Sequence, residues 1–163
     1  MRDFDEHVSM VSFGDDNVIN FSDEVADRFN MTTITSAFAK FGYIYTDEAK
    51  TLSGEIPKWR DISEVAYLKR QFIYDEKKRV WNAPLDLGVI LETPCWMRGT
   101  LDAETGTKVN CEVSIMELSL HPRPIFDKWS KIIGDAYLRA TGQTLETDSY
   151  DGYWTTRYND YYI

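Results

Sequence analysis

The stretch VSFGDDNVIN, residues 11–20, constrains the fold more than any other. Val11 and Phe13 before it, and Val18 and Ile19 after it, read as strand, with Gly14-Asp15-Asp16-Asn17 as a tight turn between them. A chain that reverses this sharply between two apolar runs forms an antiparallel hairpin, here over residues 7–21, and Gly14 supplies the backbone freedom of the turn. The apolar framing predicts that Asp15 and Asp16 stand side by side at the tip of a buried hairpin. Two readings are open. One is an ordinary acidic turn. The other is a metal site, because Mg²⁺ takes one or two carboxylates together with phosphate and water oxygens. A rigid strand-turn-strand support suits two-metal phosphoryl transfer.

The rest of the chain alternates between sheet and helix signals and then becomes helical. Ser22 and Asp23 offer an N-cap, and EVADRFNMTTITSAFAKF reads as a helix that ends at Gly42. Ile34, Ala37, Phe38 and Phe41 fall on one face of it, while Thr32, Thr33 and Thr35 are poor helix formers that packing must hold in its middle. Tyr43-Ile44-Tyr45 is a short strand candidate, residues 46–51 a polar turn, and residues 52–62, with Gly54 and Pro57, a loop. A second hairpin is expected around Tyr67 to Trp81, turning at Asp75 to Lys78. From Pro84 three helices follow. The first runs from about Leu87 to Met97 and is disturbed by Pro94. The second spans Glu104 to Leu120 with Val109, Val113, Met116 and Leu120 on one stripe. The third covers Ile125 to Ala140 with Phe126, Trp129, Ile133 and Tyr137 inward, closed by Gly142. The aromatic tail YDGYWTTRYNDYY shows no clear periodicity.

Composition bounds the function classes. With 43% hydrophobic and 14% aromatic residues over 163 positions, a packed core is available. A formal charge of −9 argues against gripping nucleic acid through the whole surface, but leaves room for a local basic strip. Cys95 and Cys111 form no CxxC and have no His pair beside them, which signals neither a disulfide framework nor zinc and fits a reducing compartment. Neither a signal peptide nor a membrane span is legible.

Outside the hairpin, Lys50 is a solvated charge or a cation for a leaving pyrophosphate, which gains charge as it departs. Lys69 and Arg70 are a charged hairpin edge or a grip on a nucleic-acid backbone. His7, read as a strand histidine, and His121, at a helix end, are structural. Trp81, Trp96 and Trp129 read as packing ahead of base stacking.

In order and spacing, SFGDDNVIN, YTDEAKT and YLKRQF resemble the C-terminal part of a viral RNA-dependent RNA polymerase of the picorna-like type, especially that of dicistroviruses and iflaviruses. APLDLGVILETPCWMRG and MELSLHP continue the likeness into the thumb, so that it covers residues 8–140. The resemblance implies an α+β chain: a partial palm with a motif C hairpin, a motif D helix and a motif E hairpin, followed by an all-helical thumb. Its divisions would be palm at 1–83, thumb at 84–145 and a tail at 146–163. It implies that Asp15 is the principal ligand of Mg²⁺ (or Mn²⁺), with Asp16 contributing less directly. Lys50 would be the general acid toward pyrophosphate, and Leu68, Lys69 and Arg70 the primer grip. Phe13 stands where the family more often has tyrosine.

The same resemblance implies a fragment. The Asp-bearing motif A strand, the motif B helix and the basic fingers would be supplied by the N-terminal fingers and palm of the same polyprotein. The chain alone would therefore be inactive. Partners would be template RNA, the nascent strand and nucleoside triphosphates, with no direct membrane insertion. The place of action would be the host cytoplasm, at membrane-associated replication complexes. A rival reading from another class is a non-catalytic acidic α+β interaction or structural protein.

Overall fold

Val8–Phe13 (β1) and Asp16–Phe21 (β2) pair antiparallel in the register Val8↔Phe21 to Phe13↔Asp16, so the loop has only two residues, Gly14 and Asp15. The sequence placed Asp16 and Asn17 in the turn; they are instead the first residues of β2. Gly14 has φ +63° and Asp15 is not among the positive-φ residues, the pattern of a type II′ turn with its usual glycine first. The computed structural model describes residues 4–47, 50, 57–96 and 102–159. They fall into two compact units, Met1–Lys69 and Arg70–Ile163.

In the first unit a single helical turn, Phe4–His7 (α1), precedes β1, so His7 is a helix-end residue rather than a strand residue. Its Nδ1 shares a 2.8 Å hydrogen bond with Ser22 Oγ at the end of the hairpin. Phe29 meets Phe4 and Phe21 edge-on, both at 5.9 Å between centroids. The helix anticipated from Glu24 onward starts only at Met31 and runs to Ala39 (α2), because Asn30 interrupts it. Asn30 is extended (φ −157°), and its side-chain amide donates to the Ala26 carbonyl at 2.8 Å while its Oδ1 accepts from Thr33 N–H. The Thr33 hydroxyl in turn accepts from Asn30 N–H, completing a capping box. Thr32 and Thr33 thus fall in the first turn of the helix, where such residues cap well, while Thr35 remains at its middle. Residues 43–45 form no strand. Ala66–Tyr67 (β3) lies beside β2.

The second unit holds the core. Arg70–Gln71 (β4) bridges to Leu85, and Ile73–Asp75 (β5) pairs antiparallel with Val80–Asn82 (β6), the hairpin expected here. Asp75 Oδ1 accepts from the backbone of Lys77 and Lys78, both at 3.0 Å, which shapes the charged turn. Leu87–Glu92 (α3) gives way to a 3₁₀ turn at Thr93–Cys95, as Pro94 requires; Met97, the expected end, lies outside the described residues.

Ala103–Leu118 (α4) and Arg123–Thr141 (α5) pack together, and Gly142 ends α5 in the left-handed conformation at φ +74°. The inward stripe of α4 differs from the expected one. Cys111, Ser114, Ile115 and Leu118 are buried, whereas Val109, Val113 and Met116 are exposed. Ser114 makes this possible: its hydroxyl donates to the carbonyls of Ile90, on α3, and Asn110. Phe126, Ile133 and Tyr137 of α5 face the same core, with Trp129 at its margin.

The tail is ordered into the core as well. Tyr150–Asn159 (α6) buries Tyr150 and Trp154, and Ser149 Oγ accepts from Gly152 N–H at its start. Lys78 Nζ lies 3.0 Å from the Trp154 ring centroid and 4.8 Å from that of Tyr150. Burial there pushes the Lys78 ammonium below its ordinary 10.5, against the pull of Asp75 and Asp151. Among the described residues no helix is long and apolar enough to cross a membrane.

Candidate functional site

The hairpin tip is exposed, not buried. Asp15, Asp16 and Gly14 face water, and Phe13 beside them is 70% exposed. Both carboxylates are hard oxygen donors open to water and phosphate oxygens, which fits a share in binding Mg²⁺. Among the described residues no three His, Cys, Asp or Glu gather into a metal-sized cluster.

Two residues that the sequence did not single out hold this turn. Asn17 Nδ2 donates to the Asp15 carbonyl at 3.3 Å, and the Tyr45 hydroxyl donates to Asn17 Oδ1 at 2.6 Å across 28 positions of sequence. Tyr45 stacks on Phe38 of α2, 5.1 Å between centroids and 15° between planes. Asn17 could have been suspected from its place beside the aspartates. Tyr45 could not, since nothing local announces so distant a contact.

Lys50 is exposed, its N–H donates to the Asp47 carbonyl at 2.9 Å, and its φ is +53°. Leu68 and Lys69 also have positive φ, +51° and +61°, the two central angles of a type I′ turn that ordinarily takes Asn-Gly. Of the four described non-glycine residues with positive φ, these are three, and Arg79 is the fourth. Such strain costs about 1–2 kcal/mol per residue and concentrates at functional sites.

Arg70 differs from its neighbour. Its guanidinium grips Glu117 of α4 with both arms, at 2.9 and 3.0 Å, and donates to the Ala83 carbonyl at 2.8 Å. Its side chain is 34% exposed and that of Glu117 17%, so the pair is a partly buried bidentate clamp. Lys69 is exposed. The structure therefore separates the two basic residues into one already engaged by protein and one turned to solvent.

The family model for viral RNA-dependent RNA polymerase matches residues 1–132. The replicase polyprotein of acute bee paralysis virus is 60% identical over all 163 residues, which span 9% of that polyprotein. The replicase polyprotein of cricket paralysis virus is 34% identical over 139 residues, 85% of this chain and 8% of the polyprotein. The chain thus spans less than a tenth of the length of these curated relatives. A solved Sicinivirus 3Dpol RNA-dependent RNA polymerase shares the fold with a TM-score of 0.68 at 16% identity, over 93% of this chain and 30% of that one. The α+β arrangement of small sheets and helices is therefore that of part of a viral polymerase. This chain belongs to the viral RNA-dependent RNA polymerase family.

Proposed function

We propose that the chain is the closing palm segment and the thumb of an RNA-directed RNA polymerase, acting within a longer polyprotein. The observation that carries this reading is the exposed two-residue Gly14-Asp15 loop in a chain of this family, which presents both carboxylates at a strand end. In the reaction, the 3′-hydroxyl of the nascent RNA gives up its proton to solvent water and its oxygen bonds to the α-phosphorus of a nucleoside triphosphate. The α–β phosphate bridge breaks, and pyrophosphate leaves. Asp15 is the main ligand for Mg²⁺ or Mn²⁺, with Asp16 beside it. When bound, the metal supplies positive charge for the developing oxyanions. Lys50 gives a proton to the departing pyrophosphate. Lys69 contacts a backbone phosphate of the nascent strand, Leu68 shapes the turn beneath it, and Arg70 positions that turn through Glu117.

The exposed apolar side chains of β1, Met10, Val11 and Phe13, are the surface that the upstream palm of the same polyprotein covers. Its carboxylate completes the metal site, so the chain by itself is inactive. Residues 84–145 close over the template–product duplex. Synthesis takes place in the host cytoplasm at membrane-associated complexes, with membrane attachment supplied by other proteins.

Asp15→Ala in the full-length polymerase tests the assignment. Template-directed incorporation should fall at least about a hundredfold, since a bound metal contributes several kcal/mol to the transition state. The melting temperature should be unchanged. Retained synthesis would overturn the metal role. Template-dependent incorporation by the 163 residues alone would overturn the need for the upstream part.

A further inference from the structure

We propose that Tyr45 and Asn17 are positioning residues that fix the backbone of the Asp15 turn, and thereby aim its carboxylate at the divalent ion. The inference rests on the polymerase reading above and names two residues that the reading does not use.

The amide of Asn17 joins the Asp15 turn to Tyr45. Its oxygen accepts from the Tyr45 hydroxyl at 2.6 Å, which leaves its nitrogen facing the Asp15 carbonyl at 3.3 Å. The reverse orientation would set an amide oxygen against that carbonyl, acceptor against acceptor. The acceptor-only Asp15 carbonyl therefore sets which end of Asn17 meets the turn, and Tyr45 holds the opposite end in place. The turn itself needs this help, because its two residues are exposed and only the ladder bond positions on either side of them are fixed by pairing.

Tyr45 is well placed to be the rigid member. Its ring stacks on Phe38, which also meets Tyr43 edge-on at 6.4 Å, so α2 holds the phenol from behind. Asn17 is anchored in β2 opposite Ser12. The chain from α2 through Tyr45 and Asn17 to Asp15 is thus continuous side-chain contact. Tyr45 also lies five positions before Lys50, so the segment that presents the proton donor is the one that braces the metal-binding turn.

The test uses the full-length polymerase bound to a primed template. Tyr45→Phe removes only the hydroxyl and keeps the stacked ring, and Asn17→Leu removes both ends of the amide at similar volume. The Mg²⁺ concentration for half-maximal incorporation should rise about fivefold in each variant, the size expected for one lost hydrogen bond. Mn²⁺ affinity, read by electron paramagnetic resonance without turnover, should weaken by the same factor. The double variant should be no worse than Asn17→Leu alone, because the two act in series. Lower melting temperatures with unchanged metal dependence and unchanged Mn²⁺ affinity would reduce both residues to structural ones and overturn the inference. Additive losses in the double variant would overturn the serial arrangement. Asp15→Ala serves as the control. If it abolishes synthesis while Tyr45→Phe leaves metal dependence alone, the inference fails and the polymerase reading stands. If Asp15→Ala retains synthesis, both fall.

Discussion

The two units of this chain solve the burial problem differently. In Arg70–Ile163, nine hydrophobic side chains among the described residues are buried, from Ile90 on α3 to Trp154 on α6. In Met1–Lys69, the one buried side chain among the described residues is Asn30, a polar hub, while Met10, Phe13, Phe41 and Ile44 are all exposed. Yet the catalytic and metal assignments fall in the first unit, along with all the strained site residues. The contrast teaches that the second unit carries its own core, whereas the first is held by caps, by turns and by hydrogen bonds between distant positions, such as Met31 N–H to the Lys58 carbonyl and Tyr45 to Asn17. An exposed apolar surface of this kind is what the proposed upstream palm would cover.

Truncating the core should produce the largest stability effect. Leu118 is 0% exposed, and Leu118→Ala should cost about 2–5 kcal/mol in a denaturant melt, through lost contacts and the cavity left behind. Met10 on β1 is 62% exposed, so Met10→Ser should stay within about 0.5 kcal/mol in the 163-residue chain. The same serine in the full-length polymerase should cost more, because its site is then covered. Equal losses for Leu118→Ala and Met10→Ser in the short chain would break the contrast between the units.

The contrast also explains what could be read from sequence. Local signals worked: the hairpin at Gly14, the ending of α3 near Pro94 and the glycine cap at Gly142 all depend on backbone preferences of a few residues. Packing signals worked only in part. On α4 the spacing of Cys111, Ser114, Ile115 and Leu118 is a proper helical stripe, but it contains a serine whose hydroxyl is satisfied inside the core, so the spacing of apolar residues alone points to the Val109–Val113–Met116 face. On α6, Tyr150 and Trp154 are four apart behind the capping Ser149, a pattern hidden by aromatic residues on every side. Buried hairpin strands were expected because apolar residues flank the turn, and composition cannot say which chain covers them. At the site, the Gly-Asp-Asp order was legible at once. The partners Tyr45 and Glu117 were not, because their contacts span 28 and 47 positions.

The Arg70–Glu117 clamp gives the next effect in size. Glu117→Ala leaves a partly buried guanidinium with only the Ala83 carbonyl, and after allowance for its exposure the loss should be about 1–2 kcal/mol. Lys69→Ala should be near neutral for stability. In the full-length polymerase it should weaken RNA binding across all sequences and lower the salt slope by about one. If Glu117→Ala melts like the parent protein, the division of labour between Arg70 and Lys69 is wrong.

Smaller still is the strain at Lys69. Glycine reaches φ +61° without the Cβ penalty, so Lys69→Gly should be more stable than Lys69→Ala by about 1 kcal/mol. The two should bind RNA equally weakly, since both lack the ammonium. A stability gap of the opposite sign would mean the turn relaxes when the side chain is shortened, and that its geometry is imposed by the lysine.

Acid should separate the units by the chemistry of their caps. In the second unit Asp102 caps α4 by accepting from Thr105 N–H at 2.9 Å, and that backbone bond is the main reason its carboxyl lies below the ordinary 3.8. A depressed carboxyl contributes stability that is fully present above its unfolded value and lost as pH falls through the lower folded value. In the first unit α2 is capped by Asn30 and Thr33, which do not titrate in this range, and Asp61 caps only a single 3₁₀ turn. Asp102→Asn retains an acceptor at every pH. Its melting temperature should therefore fall less steeply than the parent's once the pH drops below 3.8, and hydrogen exchange at the first turn of α4 should rise in the parent but not in the variant. The first turn of α2 should be indifferent to the same acidification. If α2 opens alongside α4 in both proteins, the acid response belongs to the chain as a whole, and the caps do not distinguish its two units.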